Sequence, residues 1–213
     1  MKTEDLISAL AQDPAPPPPP APEARLLPGL LAGLMGTLLI YALAYGPRPD
    51  LALALSQPVV AAKTVLPLIL AVFAAQLALR AARPGQRPGA LRWWIWGLPA
   101  IAAVLFVVTF RDTAPAMRGM AIRGHSIWVC LPSIPLLSLP LLAGILSALR
   151  RGAAVHPVRA GALAGLAAAG LATVVYSTFC IEDTPLFYAL WYSAGIGFAA
   201  GIGAVAGHLW LRW

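Results

Sequence analysis

An all-α bundle of six transmembrane helices is the fold class this sequence predicts, and three observations point to it. Sixty per cent of the 213 residues are hydrophobic and only 11% are charged, whereas a soluble domain carries about a quarter charged residues. The apolar residues gather into six runs long enough to cross a bilayer, and mean hydropathy is +0.78. Those runs show little alternation, which argues against a closed barrel, the other architecture that lipid tolerates.

The chain opens with a leader over residues 1–27, ahead of a membrane domain over 28–213. Within MKTEDLISALAQD, Thr3 is a candidate N-cap, Glu4 and Asp5 occupy the first turn, and Leu6, Ile7 and Leu10 share one face. So short a helix is marginal in water and orders best against a partner; the plain alternative is a frayed terminus. Pro16 to Pro20 then run unbroken, which reads as a stiff polyproline II spacer. A polar, proline-rich leader of this kind is not the n-region of a cleavable signal.

The first span is expected at 28–45, with Gly29 and Gly33 as a small-residue packing face. The second, at 59–79, contains Pro67, and Lys63 lies close enough to its end to snorkel toward the interface. Arg80, Arg83, Arg87 and Arg92 follow as the strongest basic loop, and the third span, at 93–110, begins with Trp93, Trp94 and Trp96 as an interfacial belt. A loop over 111–125 leads to the fourth span, at 126–149, which carries Cys130 and three prolines, Pro132, Pro135 and Pro140, and so should kink. The fifth, at 160–179, is rich in alanine and glycine, with Gly161 and Gly165 at GxxxG spacing, and the sixth runs over 186–210.

Orientation follows from the arginines. With both termini cytoplasmic, ten of the fifteen lysines and arginines lie inside, which supports N-in and C-in. The formal net charge of +7 is therefore an orientation signal in the loops, and no direct nucleic-acid partner is expected. In this topology Cys130 opens the fourth span and Cys180 closes the fifth on the same outer side. The two thiols then lie at similar depth on adjacent helices, in a compartment that permits disulfides; the alternative is two separately buried small residues. His125, Glu182 and Asp183 fall beside them, and two thiolates with an imidazole or carboxylate suit a soft or borderline metal ion. The plainer reading makes His125 interfacial and the acidic pair a solvated turn, with Arg111 a possible counter-charge; His208 lies at the opposite face.

Several function classes lose support. No CxxC, Walker, GxSxG or HExxH motif occurs, and the expected span interiors carry no Asp, Glu or Arg. An enzyme or a proton-coupled transporter is disfavoured, leaving a small transporter or scaffold, or a thiol enzyme cycling a distant cysteine pair, as the competing classes.

The leader MKTEDLISALAQD, the segment HSIWVCLPSIPLLSLPLL around Cys130 and the tail beginning CIEDTPLFYALW together resemble the NrsF family, formerly the DUF1109 group of six-span bacterial inner-membrane proteins. The resemblance implies an anti-sigma factor whose cytoplasmic leader, through Leu6, Ile7 and Leu10, holds an extracytoplasmic-function sigma factor at the membrane. It also implies that Cys130 and Cys180 release that partner under heavy-metal or oxidative stress. No constitutive cofactor is then expected, only a transient heavy-metal ion at Cys130 and Cys180. The long proline run is unusual for the family and would make the leader a mobile tether.

Overall fold

A computed structural model describes residues 2–12, 22–86 and 89–212. Most of the proline run, Arg87 and Trp213 lie outside the described residues, as does the side chain of Leu10. Nine helices are present among the described residues: α1 Thr3–Gln12, α2 Pro22–Ala44, α3 Leu51–Leu55, α4 Pro58–Ala81, α5 Leu91–Asp112, α6 Pro115–Arg123, α7 Ile127–Leu149, α8 Pro157–Ser177 and α9 Pro185–Trp210. No strand occurs among them. Among the described residues six stretches are long and apolar enough to cross a membrane, the fourth combining α6 with α7.

Local chemistry sets the boundaries. Proline supplies a preset φ and no amide hydrogen at the first position of α4, α6, α8 and α9, where neither is a handicap. In α1, Thr3 is the first helical residue and not the cap; the Asp5 carboxylate accepts the Lys2 backbone N–H instead, at 3.2 Å. The first span starts earlier than its hydropathy suggests, because α2 takes in Pro22 to Leu27, and Glu23 in its first turn pairs with Arg83, just past the end of α4. The segment expected to be a loop before the fourth span contains α6, a helix with no buried residues and low apolar content. Gly124 ends it at φ +57°, where a Cβ would strike the Phe187 ring.

Small residues decide the packing. Gly165 of α8 lies against α9 so closely that a Cβ would sit 2.7 Å from the Ala199 carbonyl oxygen, and Gly161 on the same face meets Gly203 and Gly207. Gly170, on another face of α8, is equally close to the Pro67 carbonyl of α4, and Gly33 of α2 to the Pro140 carbonyl of α7. Backbones that approach this closely gain dispersion contacts along their length, the main attraction between helices in lipid. Helix α8 is consequently central, packed against α4, α7 and α9, while α5 lies at the edge with Leu98 its one buried residue. Hydroxyls add bonds along the proline-containing α7: Thr37 Oγ1 of α2 donates to the Leu137 carbonyl at 2.8 Å, tying the two helices together, and Ser138 Oγ donates to that of Pro135 at 2.7 Å.

Two glycine substitutions separate these roles. Gly165→Ala should lower the melting temperature in detergent, because a carbonyl of the neighbouring helix must move. Gly201→Ala, where a Cβ meets nothing within 4 Å, should be neutral or stabilising by up to about 1 kcal/mol.

Candidate functional site

The turn between α8 and α9, CIEDT, brings together segments remote in sequence. Its Asp183 carboxylate accepts from Lys63 Nζ of α4 at 2.7 Å and from Arg48 Nη1, in the loop after α2, at 2.7 and 3.0 Å. The Cys180 carbonyl accepts from the same two cations, at 2.6 Å from Lys63 and 3.3 Å from Arg48. Arg48 also holds Asp50, through Nε and Nη2, and its backbone N–H donates to the Thr178 carbonyl. Glu182 turns the other way, accepting the His125 N–H at 2.6 Å and the Ser126 hydroxyl at 3.1 Å, and so fastens the start of α7.

Lys63 therefore corrects the expectation that it snorkels. Its side chain is 2% exposed and directed into the bundle, where Asp183 compensates a charge otherwise costly at this depth. Burial alone would push the Asp183 carboxyl up, but hydrogen bonds from Arg48 and Lys63 outweigh it and hold the group below the usual aspartate value. Hydrogen bonds from Arg48 to Asp50 and then to Asp183 raise the guanidinium above its ordinary value despite its burial. Arg111, in contrast, enters no ion pair among the described residues, so the suggested counter-charge is supplied by Arg48 and Lys63.

Cys180, the first residue of this turn, and Cys130, near the start of α7, are both free thiols, 2% and 0% exposed. They belong to one buried cluster and are within electrostatic reach of each other. The hydroxyls of Tyr176 and Tyr192 are buried without a hydrogen-bond partner among the described residues, and the thiols lie near them, Cys130 by Tyr176 and Cys180 by Tyr192. Tyr176 and Tyr192 pack edge to face at 6.0 Å, and Tyr45 and Phe179 extend the aromatic wall at 5.1 Å. The thiol pair is thus enclosed by aromatic rings, with an ion-paired turn as its cover.

Of the accessory residues, Glu182 lies within electrostatic reach of Cys130 but is engaged by the His125 N–H and the Ser126 hydroxyl. His125 is exposed, with its ring 3.6 Å from Glu182, and Asp183 is engaged by the two cations. Among the described residues no group of three or more His, Cys, Asp and Glu side chains is placed to hold a metal ion. Two thiols alone remain, a donor set suited to a soft ion of low coordination number. At the other end of the chain, α1 leaves Leu6 and Ile7 exposed, and at the opposite face His208 contacts Arg212. Sequence reasoning passes over Arg48, Tyr176 and Tyr192 and places Lys63 at the interface; the available signal was a lysine several residues inside an apolar run, which by default marks a site with a carboxylate partner.

A family model described as negative regulator of sigma F matches residues 10–213. The chain is similar over its full length to the anti-sigma-F factor NrsF of Caulobacter vibrioides (strain NA1000 / CB15N), 37% identical over 220 residues and covering 100% of both chains. It is likewise similar to the probable anti-sigma-F factor NrsF of Azospira oryzae (strain ATCC BAA-33 / DSM 13638 / PS), 33% identical over 217 residues with 100% of both covered. No solved structure matches the chain.

Asp183→Asn leaves the buried Lys63 ammonium without a carboxylate, while Arg48 keeps Asp50, and should destabilise the protein by about 3–5 kcal/mol, whereas Lys63→Met, which removes a charge while keeping apolar volume, should cost less. Both are read from denaturation in detergent. Because the folded-state Asp183 value is depressed, its contribution is complete above the ordinary aspartate value of 3.8 and is lost as pH falls through the lower folded one. Stability from this group should be flat between pH 5 and 7, and the Asp183→Asn variant should lack the acid loss.

Proposed function

The chain belongs to the NrsF family of negative regulators of sigma F, and from that premise we propose a membrane-bound anti-sigma factor that sequesters an extracytoplasmic-function sigma factor at the cytoplasmic face of a bacterial inner membrane. The charge bias of the loops supports this orientation, with the leader inside and the thiols outside. Leu6 and Ile7, exposed on α1, and Leu10 by its spacing in the sequence form the docking stripe for the sigma factor, a helix-in-groove mode in which the partner covers apolar side chains.

The observation that carries the sensing half is the burial of two free thiols in one cluster at a turn on which α2, α4, α7, α8 and α9 converge. Two signals act on such a pair. A soft heavy-metal ion bridges both sulfurs and displaces two thiol protons. A two-electron oxidant accepts two electrons as the thiols join in a disulfide and release two protons. Either change draws the start of α7 and the end of α8 into a new spacing, in a site that offers little room for compliance.

Helix α7 carries the change across the bilayer. Its three prolines give it fewer backbone hydrogen bonds to break, and its far end adjoins Arg150 and Arg151 on the cytoplasmic side. A coupling of about 3 kcal/mol shifts partner affinity about 150-fold, sufficient for release.

Two variants test the halves separately in a reporter strain. Replacing both cysteines with serine should leave the sigma factor held but abolish induction by cadmium or diamide; an unchanged response contradicts the sensing role. Deleting residues 2–12 should make sigma-dependent transcription constitutive while the membrane domain still accumulates, and a reporter that stays silent contradicts the docking role.

A further inference from the structure

A cavity of about 870 Å³ lies between α4, α5, α8 and α9, within the volume range of ligand pockets. It follows α4 from Ala62 to Ala81, about 28 Å along the helix axis. Its wall is apolar over most of that length, formed by residues such as Leu66, Leu70, Leu98, Pro99 and Ile196. One end, near Lys63 and Tyr188, is closed electrostatically because the Lys63 ammonium is engaged by Asp183. The other end is basic: Arg83, Arg92, His156 and Arg159 line it, and among these Arg83 is paired with Glu23 while Arg92 stacks over Trp93.

We infer that this cavity is a binding site for an anionic glycerophospholipid, its phosphate held by Arg92, Arg159 and His156 and its acyl chains laid along α4 and α9. Charge complementarity commits the occupant. A long apolar channel alone would take any lipid, but the cations gathered at one mouth, at the level of a tryptophan cluster on α5, match a phosphodiester at headgroup depth. Arg92 and Arg159 are exposed at that mouth, come from different helices and converge only through the fold. The tryptophans Trp93, Trp94 and Trp96 are all exposed on α5, as expected of a helix end at the interface. Helix α5 is also the most loosely held wall: it packs mainly on α4 and α9, with a single buried residue among the described ones. A lipid held here would complete the contact of α5 with the bundle.

The test uses the full-length protein in nanodiscs of equal phosphatidylglycerol and phosphatidylcholine, extracted, washed and weighed for retained lipid by mass spectrometry. Phosphatidylglycerol should be enriched about tenfold over phosphatidylcholine, as expected of two arginines near an anionic headgroup. The Arg92→Gln, Arg159→Gln double variant should bring the ratio close to parity with an unchanged melting curve. Gly197→Phe, at a lining position where a Cβ meets nothing within 4 Å, should lose retained lipid of both kinds without unfolding. Equal retention of the two lipids by the native protein, or selectivity that survives both variants, overturns the inference. A photoreactive residue at position 197 supplies a direct readout: a phospholipid adduct is expected, and adducts to protein alone would mean that a polypeptide fills the channel.

Discussion

A lysine ammonium buried six residues into a membrane-crossing helix has to be met by a carboxylate, and most of the site is arranged around that requirement. Asp183 meets it from the turn between α8 and α9, and Arg48 adds a second cation from the loop after α2. Two cations on one carboxylate leave a surplus of positive charge, which the Cys180 carbonyl and Asp50 share. The turn is thereby fixed in position as well as in charge. Its residues on either side inherit the constraint: Cys180 is carried under the turn toward Cys130, and Glu182 is left to fasten the amino end of α7.

This clamp works because the helices beneath it cannot slide. Along α8, glycines at 161, 165 and 170 place the backbones of α4 and α9 in direct contact, and a helix locked on two faces transmits displacement at its end to its neighbours. The thiols lie where that rigid core meets the clamped turn. Under the proposed sensing role, a bond formed between their sulfurs would act on this junction of rigid core and clamped turn.

Much of this was legible in the sequence. Spans were found within a few residues because apolar runs of this length have few other uses, and the glycine spacings on α2 and α8 mark the faces that pack. That Cys130 and Cys180 fall at the same end of two consecutive helices follows from their positions in the chain, since one opens a helix and the other follows the end of the next. The rest was hidden for physical reasons. Lys63 looks terminal when only hydropathy is counted, because a single charge hardly lowers the mean of a long run; its partner is more than a hundred residues away. Helix α6 has too little apolar content to announce itself. His125 and Asp183 sit beside the thiols in sequence, but backbone geometry and ion pairing direct them elsewhere, so nearness along the chain overstates them as ligands.

The central claim is that the ion-paired turn is the cover of the thiol pair, and the rate of thiol alkylation in native membranes measures it most directly. Mass spectrometry of protein treated with a small maleimide should find Cys130 and Cys180 labelled slowly in the native chain. Both should be labelled about tenfold faster in the Asp183→Asn variant, in which local opening of the turn costs about 1.4 kcal/mol less or better. Rapid labelling of the native thiols, or rates that ignore the loss of the Asp183 charge, would contradict the account.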